Sequence, residues 1–485
     1  MLSENSLPES ETRKPSRGSL RSVLAWAAPA LVLLAIFFLL DIPVIRSDGL
    51  AYYAWLHSIV HDRDISLDNE YRMLEEVNIY QLSIVPATGK VSTPFPFGSA
   101  ILWIPFYRLG LWVGQTDWYA LRIAPAVDLA AYLRLQGADF WAGLALTVGT
   151  NLMALASVYL AMDIARRHVS LLAASLAAIS VFLGTPMIYY STIEPTMSHV
   201  PAVFCITLVY WLFFRFGIYH RSEDRERPGI WLLIGLALGL ATMVRWQLLL
   251  SGIPLGIVLL YQNRWRSLAT FCLGVALLAW TIPWSWYHMF GKPLVVPANV
   301  DRPWAFLVGP QNLLKVWFSS RHGLFNWSPI VALGMLGALF ACQRHPQTAF
   351  VLLGAFLVQS LISASVADWW AGWSFGMRRM VELYPLYVMG LALAWERIAR
   401  PETFQPGRTS RIGKAVYSSA VGLSVVWSLF LFIVYASVSI HQGEGTSGEA
   451  VALLMQGDAS VLLTIASRFK AWYGCLAWSA PPPWR

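Results

Sequence analysis

VLAWAAPALVLLAIFFLL, Val23 to Leu40, runs straight into DIPVIRSDGLAYYAW, Asp41 to Trp55. The first stretch carries no charge and approaches the roughly 20 apolar residues that a helix needs to cross the hydrocarbon core. The second breaks that run with Asp41, Arg46 and Asp48, then resumes an apolar and aromatic pattern. A spanning helix that hands the chain to an acidic segment at the membrane boundary is therefore the first element. It is too long, and too poorly marked for cleavage, to be a removed signal peptide, so it reads as an anchor.

The pattern recurs along the chain. Further apolar runs cover Phe140–Ile164, Val169–Tyr189, Val200–Phe216, Gly229–Thr242, Leu248–Tyr261, Leu268–Trp284, Ser328–Cys342, Ala349–Ser365, Tyr384–Trp395 and Ala415–Ser439. Composition agrees: 57% of residues are hydrophobic and only 13% charged, against roughly 25% charged in soluble proteins. The expected fold is all-α, a polytopic membrane protein of about eleven transmembrane helices. Its first outer loop holds surface helices. Residues 1–22 are expected to form a disordered cytoplasmic N-terminus, 23–440 the membrane domain, and 441–485 a short outer-face tail, amphipathic through Leu462–Trp472.

Ala100–Gly114 is the ambiguous stretch, because Pro105 and Arg108 make it a poor span. The positive-inside rule arbitrates. With Arg13, Lys14, Arg17 and Arg21 inside and Ala100–Gly114 lying on the surface, Arg166-Arg167, His220–Arg227, Arg264 with Arg266, Arg344 and Arg397–Lys414 all fall inside as well. If that stretch crossed, every later basic cluster would be turned outward. The N-terminus is thus expected inside and the C-terminus outside. The basic balance, a formal net charge of +8, then reflects these inner loops rather than nucleic-acid binding. Cys205, Cys272, Cys342 and Cys475 have neither a CxxC pair nor metal-ligand spacing.

In this orientation the unusual polar residues gather outside. After Asp48, Leu50–Val60 reads as an amphipathic surface helix that Ser47 or Asp48 could cap. Asp48 is open to three readings: helix cap, ligand or base. His61, Asp62, Asp64, Asp68 and Glu70 read as a solvated charged face, and Ser92–Gly98, with Pro94 and Pro96, as a connecting loop. Tyr189–His199 places Glu194 and His199 between two apolar helices, where charge is costly unless paired or functional. Arg245 occupies a tight turn between spans, either snorkelling to headgroups or serving a site. Arg321 and His322 follow in the next outer loop. Asp368, three tryptophans, Arg378, Arg379 and Glu382 close the series. Arginines break the usual bias of short outer loops, and guanidinium binds phosphate bidentately.

These residues carry a likeness. Asp48 within Ser-Asp-Gly-Leu-Ala-Tyr-Tyr, the Thr93-Pro94-Phe95-Pro96-Phe97-Gly98 approach, the Tyr-Tyr…Glu194…Ser198-His199 loop, the Arg245 turn and Gly376-Met377-Arg378-Arg379 together resemble the GT-C superfamily of polytopic glycosyltransferases. The closest likeness is to the branch of bacterial protein O-mannosyltransferases and lipid A aminoarabinose transferases, and it extends from the first span to about Trp395. The chain departs from that pattern in having no second acidic residue adjacent to Asp48. The resemblance implies transfer of a sugar from a polyprenyl-phosphate carrier to a glycan, lipid or protein acceptor at the outer face of the cell membrane, with inversion. It implies Asp48 as general base with Glu194 as its acidic partner. Tyr52, Tyr53, His199, Arg245, Arg321, His322, Arg378 and Arg379 would bind substrate. No cofactor is implied, though a divalent ion between Asp48 and Glu194 stays open.

The main rival is a polytopic transporter or lipid flippase. Transporters often place binding groups near the bilayer midplane on broken helices. Here the span centres hold almost no acidic residues and the polar groups collect in outer loops.

Overall fold

The computed structural model describes residues 20–114, 140–217, 228–295, 310–399 and 408–438, apart from positions 44, 46, 76, 77, 79, 80 and 373. The N-terminal stretch before Leu20 and the whole tail 441–485 lie outside these residues.

The described chain is almost wholly helical, with one two-stranded antiparallel ladder in which Ser83 faces Ser92 and Ile84 faces Val91. Where described, each of the eleven apolar runs falls mainly on helix. Among the described residues, six helices are long and apolar enough to cross a membrane: Leu20–Leu40, Gly143–Ala165, His199–Gly217, Trp265–Phe290, Pro346–Ala364 and Arg411–Tyr435. Shorter apolar helices cover Leu171–Leu183, Pro228–Val244, Trp246–Tyr261 and Ile330–Ala341, and Tyr384–Ala399 completes the set.

The short ones have local causes. Pro186 follows Gly184 where Leu171–Leu183 stops, and the helix resumes as Met187–Thr192. Pro254 sits at the head of Ile253–Tyr261, which a 3₁₀ turn over Trp246–Gly252 precedes. Proline lacks the N–H that would continue such a helix backward.

The bundle has an inside and a rim. His199–Gly217 is its most enclosed long helix, 67% buried, whereas Leu20–Leu40 and Arg411–Tyr435 are each 22% buried. Leu31, Leu34 and Phe38 on the first, and Val416, Leu423 and Val426 on the last, leave large apolar side chains uncovered by protein. Such faces suit lipid as solvent.

The first loop packs back over one end of the bundle. Gly98–Gly114 forms a helix lying along Phe140–Ala165 and against Gly49–His57. Gly49 through Leu56 are all buried. That corrects the expectation of an amphipathic helix lying on the membrane surface: Phe95 and Trp103 of the same loop pack against it. The solvated acidic face is corrected in part as well. Glu70 is fully buried and paired with His57, because Asp68–Met73 turns it inward.

Candidate active site

The site begins at the end of the first span. Ser47 takes a left-handed backbone with φ of 54°, a conformation costing about 1 kcal/mol or more for a non-glycine residue. It directs Asp48 to the head of the Gly49–His57 helix. Gly49 is required there, since a Cβ would strike the Thr196 hydroxyl of the second loop. The two loops thus interlock beside Asp48.

Asp48 does not cap that helix with its side chain. Its Oδ2 accepts from Arg378 Nη1 at 3.0 Å, with both side chains largely covered. Arg378 comes from the 3₁₀ turn Arg378–Leu383, far away in sequence. The same Nη1 lies 3.7 Å from Met197 Sδ.

A second cluster adjoins the first. Tyr52, one turn after Asp48, donates its hydroxyl to Ser198 Oγ at 2.7 Å. Arg245 Nη1 reaches Ser198 Oγ at 3.4 Å and His199 Nδ1 at 3.1 Å. Arg245 Nε lies 3.1 Å from Glu382 Oε1, and His199 Nδ1 lies 3.4 Å from the same oxygen. With the Gln247 amide oxygen turned toward it, Arg245 also donates from Nε and Nη2, at 2.9 Å each. Arg245 therefore points into protein rather than snorkelling to headgroups.

Burial sets the electrostatics. It pushes the Tyr52 phenol up to about 12, with Arg245 pulling the other way. It raises the Glu382 carboxyl, opposed chiefly by Arg245. The Arg245 guanidinium, 3.1 Å from Oε1, is the main group that offsets this burial.

No family model and no curated protein matches the sequence. A solved structure does. The chain is similar to ArnT from Cupriavidus metallidurans, in a crystal structure bound to undecaprenyl phosphate, at 14% identity and a TM-score of 0.49. The match covers 94% of this chain and 75% of that one.

The remaining residues named from the sequence divide. Glu194 is half-buried and acts electrostatically on Tyr190. Burial raises the Tyr190 phenol well above its usual range, Arg378 lowers it and Glu194 raises it further. Tyr190 in turn stacks near the His199 ring, 4.3 Å between centroids, so Glu194 borders the site. Tyr53 packs on His57 and Tyr107. Arg321 lies over the Trp370 ring at 4.3 Å, and His322 Nδ1 donates to the Trp370 carbonyl at 2.8 Å. Arg379 Nη2 donates to both Asp368 carboxylate oxygens, at 2.9 Å each. Arg321, His322 and Arg379 thus build the tryptophan loop that carries Arg378 toward Asp48.

Glu382 is the functional candidate that the sequence reading left out of the site. Its signal was present: an acidic residue three positions after Arg379, heading an apolar span, in a chain whose span centres hold almost no acids.

Proposed function

We propose that the chain is a membrane glycosyltransferase that moves a sugar from a polyprenyl-phosphate donor to an acceptor at the outer face of the membrane, with inversion and with Asp48 as general base. The observation that carries this reading is the Asp48–Arg378 pair. A carboxylate and a guanidinium converge at the buried edge of an apolar bundle, beside Arg245, Tyr52 and His199.

The chemistry follows from those groups. An acceptor hydroxyl gives its proton to the Asp48 carboxylate as its oxygen attacks the anomeric carbon. The bond from that carbon to the phosphate oxygen breaks on the opposite face, and the polyprenyl phosphate departs carrying the electron pair. Arg245 and Arg378 supply preorganised positive charge where the phosphate charge builds. Glu194 and His199 orient sugar or acceptor. Asp48 and Arg378 already touch, so donor binding has to draw the guanidinium partly onto phosphate, which leaves the carboxylate to take the proton.

The purified protein, given radiolabelled polyprenyl-phosphate sugars and membrane extract, is expected to move label onto an acceptor. If it instead moves intact labelled lipid across proteoliposomes without transfer, the flippase reading replaces this one.

A further inference from the structure

The first loop contains a tight group that the proposed transfer chemistry does not use. His57 ends the helix that Asp48 begins. Its Nδ1 lies 2.8 Å from Glu70 Oε1 and 3.7 Å from Asp62 Oδ2. All three ligating atoms lie within 4.8 Å of one another. Asn69 Nδ2 donates to Asp62 Oδ2 at 2.7 Å and to Glu70 Oε1 at 3.2 Å, bringing both carboxylates to one side of the imidazole.

Charge balance makes this more than an ion pair. Two carboxylates face a ring that contributes one positive charge at most. Glu70 is fully buried, and its Oε2 has no hydrogen-bond partner among the described residues. A buried carboxylate oxygen without a partner is costly. A divalent cation between the side chains balances both acids together.

The geometry points to a divalent transition-metal site formed by His57, Asp62 and Glu70, with Zn²⁺ as its representative ion. One nitrogen and two carboxylates are an accepted ligand set for zinc, which keeps its ligand atoms about 3.3 Å apart in tetrahedral geometry. The two distances from His57 bracket that spacing, so small side-chain adjustments seat the ion. Asp62 is 32% exposed and opens a path for the ion and a fourth, water ligand. Asn69 supplies the outer hydrogen bonds that orient ligating carboxylates. The ion would sit about 13 Å along the helix from Asp48, from nine residues at 1.5 Å each. Its role is structural: it locks the far end of the Asp48-bearing helix to the Asp68–Met73 turn. It does not rest on the glycosyltransferase reading.

A looser trio, His168, His345 and Glu396, with 3.9 Å between His168 and Glu396, could also take up added zinc. The test therefore counts equivalents. The full chain in detergent is dialysed against Zn²⁺ and then zinc-free buffer, its zinc measured by mass spectrometry, and its thermal midpoint recorded with and without chelator. Asp62→Asn and His57→Asn are each expected to hold one zinc fewer than the wild type, while His345→Ala keeps that equivalent. Chelation is expected to lower the wild-type midpoint by about 2 °C or more and to leave the first two variants unmoved. Wild-type zinc content in either folded loop variant, or no retained zinc in the wild type, overturns the proposal.

Discussion

Asp48 and Asp41 lie seven positions apart and meet opposite environments. Asp48 finds a cation, Arg378. Asp41 finds an amide, with Asn151 Nδ2 2.5 Å from its Oδ2, and its Oδ1 has no partner among the described residues. Burial raises the Asp41 carboxyl to about 7, with Asn151 opposing. A carboxyl whose folded pKa is raised takes up a proton on folding, so its stability contribution is present below about pH 4 and lost as pH rises through about 7. The thermal midpoint is therefore expected to fall between pH 5 and pH 8, and Asp41→Asn, which mimics the protonated form, to flatten that fall by about 2 °C or more. Parallel pH profiles for the two proteins would contradict this. At this scale the sequence could nominate residues but not pair them. Asp48 stood out by its position after the first span, with cap, ligand and base all open; its side chain meets Arg378 and makes no cap hydrogen bond. Glu382 looked like one more charge at a span boundary, because its relation to Arg245 crosses more than a hundred residues.

Among the helices, the apolar runs were legible because twenty-residue apolar periods have few alternatives in a chain this poor in charge. What periodicity does not give is enclosure. Leu50–Val60 reads as an amphipathic surface helix, but tyrosine buries well once its hydroxyl has a partner, as Tyr52 has in Ser198. Close helix contacts were equally silent in the sequence. Ile330–Ala341 and Tyr384–Ala399 meet through small residues, the usual interface of membrane helices, so tightly that a Cβ on Gly337 would strike the Gly390 carbonyl oxygen. The second of these helices directly follows the turn bearing Arg378 and Glu382. Gly337→Leu is expected to cost about 1–3 kcal/mol or more through overpacking and to lower the midpoint in detergent. Gly422→Leu, where nothing stands within 4 Å of the new Cβ, is expected to leave the midpoint unchanged. Equal effects at the two positions would contradict this packing.

Across the whole molecule, the fold converts four sequence-distant segments into one polar site. The end of the first span gives Asp48, the loop after Met187–Thr192 gives Ser198 and His199, a turn gives Arg245, and the tryptophan loop delivers Arg378. All lie at the same end of the helices. The opposite end gathers Arg166, Arg167, His168, His345 and Glu396 around a cavity of about 650 Å³. The two polar groups thus lie at opposite ends of the bundle, and the proposed function assigns the Asp48 end to the outer face. The most direct test of the central claim is the transfer rate of Asp48→Asn, compared with wild type at equal membrane insertion and equal thermal midpoint. A general base contributes roughly a hundredfold or more, so a loss of at least that size is expected. A variant within about tenfold of wild type would contradict Asp48 as the base.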